Sequence, residues 1–197
     1  MGIIDSSSDS GDGGNIIIGR TTRAFAIYSN GLHGGDIIVN GGLNANEVNS
    51  SGILKGGDIQ VTGGEVGIGF LDASASSING NGGNVILGLS NTPNGSARVV
   101  TGDIRTDASN QAGNITILGR TINTTAGILN AAGGVNGGNV MLNAIGDINT
   151  GTITLFVPGF SGDSGSINLT SLGNIDTSSG VLFAECLCCE WLGLGKA

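Results

Sequence analysis

Gly137-Gly138-Asn139-Val140-Met141-Leu142 decides the fold. It reads as a glycine pair, an amide side chain and an apolar-x-apolar triplet. Six further stretches carry the phrase with small changes, their triplets being Ile16-Ile17-Ile18, Ile37-Ile38-Val39, Ile59-Gln60-Val61, Val85-Ile86-Leu87, Ile115-Thr116-Ile117 and Ile167-Asn168-Leu169. The anchors before the triplets are Asn15, Asp36, Asp58, Asn84, Asn114, Asn139 and Ser166, spaced 21, 22, 26, 30, 25 and 27 residues apart. A strand signal that returns every 20 to 30 residues specifies a solenoid, each repeat forming one coil stacked on the last.

Successive strand residues point to opposite faces. The first and third triplet positions are always Ile, Val or Leu, so they are expected to form aliphatic ladders inside the solenoid. The middle position runs through Ile17, Ile38, Gln60, Ile86, Thr116, Met141 and Asn168, the variety of an outward residue. Glycines and β-branched residues exclude helix. A second strand is predicted at Gly-Asp103-Ile-Arg-Thr, Gly-Asp147-Ile-Asn-Thr and Gly-Asn174-Ile-Asp-Thr. A looser third is predicted at Phe25–Tyr28, Val66–Leu71, Ile128-Leu129, Ile153–Val157 and Val181–Phe183. Three short strands per coil make an all-β parallel β-helix of about seven coils, roughly 35 Å long at the spacing of neighbouring strands. The glycine before each anchor is predicted to supply the positive φ of a tight corner. The anchor is predicted to bond to nearby backbone, with stacked Asn side chains bonding along the rod. Varying repeat length is assigned to corner insertions, the longest around Asn91-Thr-Pro-Asn-Gly-Ser96.

Thirty-nine glycines without a Gly-X-Y period exclude collagen, and the aliphatic content excludes a disordered linker. The net charge of −8, with seven scattered cations, opposes binding to nucleic acid or to an anionic membrane. No apolar run approaches a membrane span. Met-Gly-Ile-Ile-Asp-Ser lacks the features of a secretory signal and fits the permissive myristoylation pattern only loosely. Three regions are expected: an acidic flexible leader (1–12), a β-helix domain (13–183) and an atypical apolar, Cys-rich tail (184–197), a cap or an out-of-frame remnant. The chain as a whole is expected to be a fragment of a longer protein.

The two recurring phrases, Gly-Gly-[Asn/Asp]-[Ile/Val]-x-[Ile/Leu/Val] and Gly-[Asp/Asn]-Ile-x-Thr, resemble the repeats of filamentous-haemagglutinin-like exoproteins over residues 11–183. They are most similar to the large cyanobacterial versions exported by two-partner secretion. That resemblance implies a right-handed β-helix, export through an outer-membrane partner and a role in adhesion at the cell surface.

Candidate sites are weak. His33, the only histidine, falls in the corner sequence Gly-Leu-His-Gly-Gly, without a nucleophile elbow to complete a triad. A polysaccharide lyase or hydrolase on this fold needs clustered carboxylates on an outer face. Asp103, Arg105 and Asp107, at i, i+2 and i+4, are the candidates, with Thr150 and Asp176 placed near equivalent positions in later coils. Asp36 and Asp58 are expected side by side and solvated, and the acidic opening lacks the spacing of a calcium loop. Cys186, Cys188 and Cys189 are too closely spaced, and too far from any histidine, for a zinc site, and an odd count opposes a disulfide framework. No catalytic residue, cofactor or metal site is assigned. The expectation is a non-enzymatic scaffold fragment of a secreted or surface adhesin that meets glycans or cell surfaces. The alternatives are a carbohydrate-active enzyme and a self-stacking rod joined end to end.

Overall fold

A computed structural model describes residues 2–88, 97–158 and 162–186. The seven triplets form one parallel sheet, ordered as in the chain: Ile16–Ile18, Ile37–Asn40, Ile59–Thr62, Val85–Leu87, Ile115–Gly119, Val140–Ala144 and Ile167–Ser171. Register is unbroken from Ile16 through Ile37, Ile59, Val85, Ile115 and Val140 to Ile167. From Ile37 to Val140 these residues are fully buried, as are Val39, Val61, Leu87, Ile117 and Leu142 two positions on. The middle positions all lie outside the core, so the predicted alternation holds. We call this the anchor sheet.

A second, longer parallel sheet closes the core. Its main path runs Ile3–Asp5, Ala26–Tyr28, Leu43–Asn49, Glu65–Asp72, Arg98–Arg105, Thr121–Asn130, Ile148–Thr154 and Ile175–Asp176. Thr22–Arg23 and Leu182–Phe183 pair with strands of this path. The architecture is therefore an all-β parallel β-helix of about seven coils, with no helix among the described residues.

The predicted second and third strands are mostly one strand. In the middle coils both halves belong to the long sheet, joined in Arg98–Arg105 and Thr121–Asn130 across register shifts. The three phrases predicted as equivalent second strands also differ in place: those at Asp147 and Asn174 align, and the one at Asp103 does not. Ile148 pairs with Ile122 at the start of the long sheet, whereas Ile104 pairs with Leu71 and Leu129 near its end. The third side of each coil is a different, narrower segment. Gly31–His33 pairs with Gly52–Lys55, and isolated bridges continue through Ala75, Ala108 and Gly133.

That narrow side explains the glycine pairs. The glycine before six of the seven anchors, the second of a pair except at Gly113, which follows Ala112, donates its N–H across the coil to the corner that ends the long strand: Gly14 to Ser6 O, Gly35 to Ser29 O, Gly57 to Ser50 O, Gly83 to Ala73 O, Gly113 to Thr106 O and Gly138 to Ala131 O, all at 2.7–2.9 Å. These bonds pinch the third side to backbone thickness. A Cβ on Gly34, Gly57, Gly83 or Gly113 would strike backbone of the facing corner or of the neighbouring coil. Positive φ is not the reason for them. Among the described residues only Gly63, Gly88 and Gly165 have it, and only Gly165 precedes an anchor. Close approach of backbone, not turn geometry, excludes a side chain here.

The anchors form the predicted ladder. The Oδ1 atoms of Asn15, Asp36, Asp58, Asn84, Asn114 and Asn139 each accept the backbone N–H of the next anchor, at 2.7–3.0 Å. Asn114 and Asn139 also donate Nδ2 to the preceding Asn, each at 3.1 Å. Each bond satisfies a corner N–H that the sheet cannot reach. Inside the long sheet, Thr124 and Thr150 hydroxyls pair at 2.8 Å, both fully buried.

The expected flexible leader is part of the stack. Ile3–Asp5 pairs with Ala26–Tyr28, Ser8 N–H donates to Asn30 O, and Gly11 O accepts Leu32 N–H. The coil beneath offers unpaired backbone groups, and bonding to them outweighs the polarity of the leader. The longest corner falls between Leu87 and Arg98, while the proposed insertion at 91–96 lies outside the described residues. So does the tail from residue 187 on. Cys186, just before it, is disulfide-bonded, and Val157 bridges to it as in a further coil.

Candidate functional site

The outer face of the long sheet carries Arg23, Glu47, Glu65, Asp72, Arg98, Asp103 and Arg105, and the strand register tells which ones become neighbours. In its second half, Glu47, Phe70 and Asp103 share one row, and Tyr28, Asn49, Asp72, Arg105 and Asn130 the next but one. Tyr28 OH donates to Glu47 Oε2 at 3.0 Å, and this bond to a carboxylate raises the phenol above its ordinary range. Arg105 stacks over the Phe70 ring, its guanidinium carbon 5.6 Å from the ring centre.

Asp103, Arg105 and Asp107 do face outward together, alternating with buried Ile104, Thr106 and Ala108, although the strand itself ends at Arg105. They do not converge on one point. Asp103 Oδ1 accepts the N–H of Ile128 at 2.8 Å, so it serves the adjoining coil's backbone where the register shifts. Thr150 is not their counterpart, because its hydroxyl points into the core against Thr124. Asp176 pairs with Asn149 at the start of the long sheet, and its carboxylate accepts the N–H of Ser178. The positions in register with Arg105 are Asp72 and Asn130.

Asp72 and Asn130 belong to a corner row that the sequence reading missed. Asp5, Asn49, Asp72 and Asn130 each accept the N–H two residues on, through Oδ1, at 2.9–3.1 Å. The signal was an aliphatic residue, Asp or Asn, then small residues: Ile4-Asp5-Ser, Val48-Asn49-Ser, Leu71-Asp72-Ala and Leu129-Asn130-Ala. It marks the turn out of the long sheet, as the anchors mark the turn into the anchor sheet.

Asp107 lines an outer hollow of about 500 Å³ with Ser76, Gly133 and Phe156. Burial holds its carboxyl above the ordinary range, and Asp72 pushes the same way. Its Oδ1 is buried without a hydrogen-bond partner among the described residues. A carboxyl raised on folding binds its proton more tightly when folded, so it costs stability at neutral pH. That cost vanishes as pH falls through the raised value towards the unfolded one. Solvent on the open side screens the effect. Asp107→Asn is expected to stabilise the fold at pH 7 by ~1 kcal/mol or less, and to have no effect near pH 3. Thermal melts at the two pH values check this. A lower melting point at pH 7 would mean that the carboxylate makes a favourable contact.

His33 pairs with Asp12, Nδ1 to Oδ1 at 2.6 Å, at an exposed corner. The hydrogen bond holds the Asp12 carboxyl below its usual range. No serine bonds to this pair among the described residues, so the pair ties the leader to the stack. Asp36 and Asp58 are half-buried neighbours in the anchor ladder, each with Oδ1 on a backbone N–H. No three His, Cys, Asp or Glu side chains group as metal ligands among the described residues.

The other half of the face differs in charge. Four of the five arginines, Arg20, Arg23, Arg98 and Arg120, sit exposed at the corner leading from the anchor sheet into the long sheet, or within two residues of it. A groove of about 310 Å³ runs there, bounded by Thr21 and Arg23 on one coil and Arg98 on another. No family model, curated protein or solved structure matches the chain.

Proposed function

We propose that this chain is a non-enzymatic β-helical scaffold from a large surface-exposed or secreted adhesin, one that attaches to cells, surfaces or glycans through its outer faces. The observation that carries this is the outer surface itself, where side chains of the two sheets stand in register coil after coil. Such rows suit a repeating polymer met by many weak contacts, which gain strength through effective concentration. The carboxylates most suited to glycosidic chemistry are engaged elsewhere, Asp103 with a backbone N–H and Glu47 with Tyr28. The likeness of the repeat phrases to filamentous-haemagglutinin-like exoproteins supports the same reading. On it, the parent protein reaches the cell surface through an outer-membrane transporter.

The test is an array of immobilised glycans probed with the chain at several surface densities. Retention that rises steeply with glycan density, with no release of sugar, is the expected result. Release of shortened or unsaturated sugars would replace the scaffold with an enzyme. Absence of retention on every glycan and on whole cells would overturn the adhesin reading.

A further inference from the structure

The groove at the arginine-rich corner is built by side chains that are missing as much as by those present. Register aligns Arg23, Asn44, Gly67 and Val100 across four successive coils. Arg23 stands on the first coil, and Arg98, paired with Glu65, on the fourth. Between them Gly67 contributes no side chain, so Asn44 and backbone form a floor. Three strand spacings put the two walls about 14 Å apart, backbone to backbone. A volume of about 310 Å³ lies at the lower end for small-ligand sites.

The charges are as informative as the shape. Among the described residues the side chains of Arg23, Glu65 and Arg98 make no hydrogen bond or ion pair, although Glu65 and Arg98 are cross-strand neighbours. Three unpaired charges facing one groove are available to a ligand that brings its own. The corner collects four arginines on a chain whose net charge is −8, so the remainder of the rod is more acidic still. An anionic polymer is repelled elsewhere and drawn to this edge. Two cations that far apart do not share one small anion. They suit separate charges on successive rings of a chain, and a guanidinium fork matches a carboxylate in two parallel hydrogen bonds. Glu65 and Asn44 between them offer acceptors and a donor to hydroxyl groups.

We propose that this groove binds a short segment of an acidic glycan, with uronate carboxylates held by Arg23 and Arg98 and ring hydroxyls by Asn44 and Glu65. The inference rests on the glycan-facing scaffold reading and adds the ligand class and the place.

Calorimetric titration with tetragalacturonate, with a neutral galactose tetramer and with sulfate ion tests it. Tetragalacturonate is expected to bind saturably at one site, the neutral sugar not at all, and sulfate more weakly. Arg23→Ser and Arg98→Ser should each weaken binding about tenfold, and added salt should weaken it further. Gly67→Thr separates the groove from the charge. A Cβ there meets only Asn44 Nδ2, at 3.2 Å, the end of a flexible side chain, so the fold survives while the floor is filled. This variant should melt like the parent and lose binding about tenfold. Parent-like affinity in Gly67→Thr, equal binding of the neutral sugar, sulfate binding as tightly, or no binding would each overturn the proposal. Retention of other glycans on the array would then leave the adhesin reading standing.

Discussion

Ile115→Asp is expected to unfold the rod, whereas Thr116→Asp, one residue on, should be tolerated. Ile115 is fully buried in the anchor sheet between Val85 and Val140, and Thr116 beside it lies outside the core. A carboxylate at Ile115 would have no partner among aliphatic side chains, which costs several kcal/mol on top of the ~1.5–3 kcal/mol lost with the isoleucine itself. A domain with ~5–15 kcal/mol of total stability does not survive much more than that. At Thr116 the new carboxylate stays in water. Circular dichroism melts of the two variants decide it, and equal melting points would mean that the register is shifted by one residue.

Gly83→Ala should be nearly as damaging, although it adds a single methyl group. Gly83 donates its N–H to Ala73 O at 2.7 Å, and an added Cβ would collide with the carbonyl group of Gly57 in the coil beneath. Neither group can give way without parting two coils, so a loss of about 3 kcal/mol or more is expected. Gly19→Ala is the control. Nothing lies within reach of a Cβ there, so the change should be neutral or gain up to about 1 kcal/mol through the unfolded chain. If Gly83→Ala melted like Gly19→Ala, the pinched third side would not depend on backbone contact.

What was legible in the sequence follows from what each residue does. Ile, Val and Leu at alternate positions after each anchor have one way to be buried, so the anchor sheet could be read residue by residue. Asn84, Asn114 and Asn139 were legible too, because an amide that recurs at a strand spacing has both a donor and an acceptor to offer its neighbours. The long sheet was harder. Val66-Gly-Ile-Gly-Phe-Leu71 and Thr121–Asn130 contain glycines, or bulge where the register shifts, so one strand reads as two. That break also made Asp103 and Asp147 look alike, though they stand at opposite ends of the sheet. The glycine pairs were placed correctly and explained wrongly. A glycine that avoids collision and one that adopts positive φ are the same letter, and only the backbone around each tells them apart. The arginine corner could not be read from spacing. Arg23 and Arg98 are far apart in the chain, and only the count of coils between them makes them two walls of one groove.

The anchor ladder has a further consequence. Each rung joins one coil to the next and reaches no farther, and each new rung presents the same acceptor to whatever follows. A whole coil removed from the middle would leave two surfaces that still fit, and a whole coil inserted would be accepted on the same terms. Length is therefore the one dimension in which this molecule can change by duplication or deletion without a new solution to packing. The groove between Arg23 and Arg98 is the exception, since its width is a number of coils. A gain or loss inside it would change the distance that the rod measures.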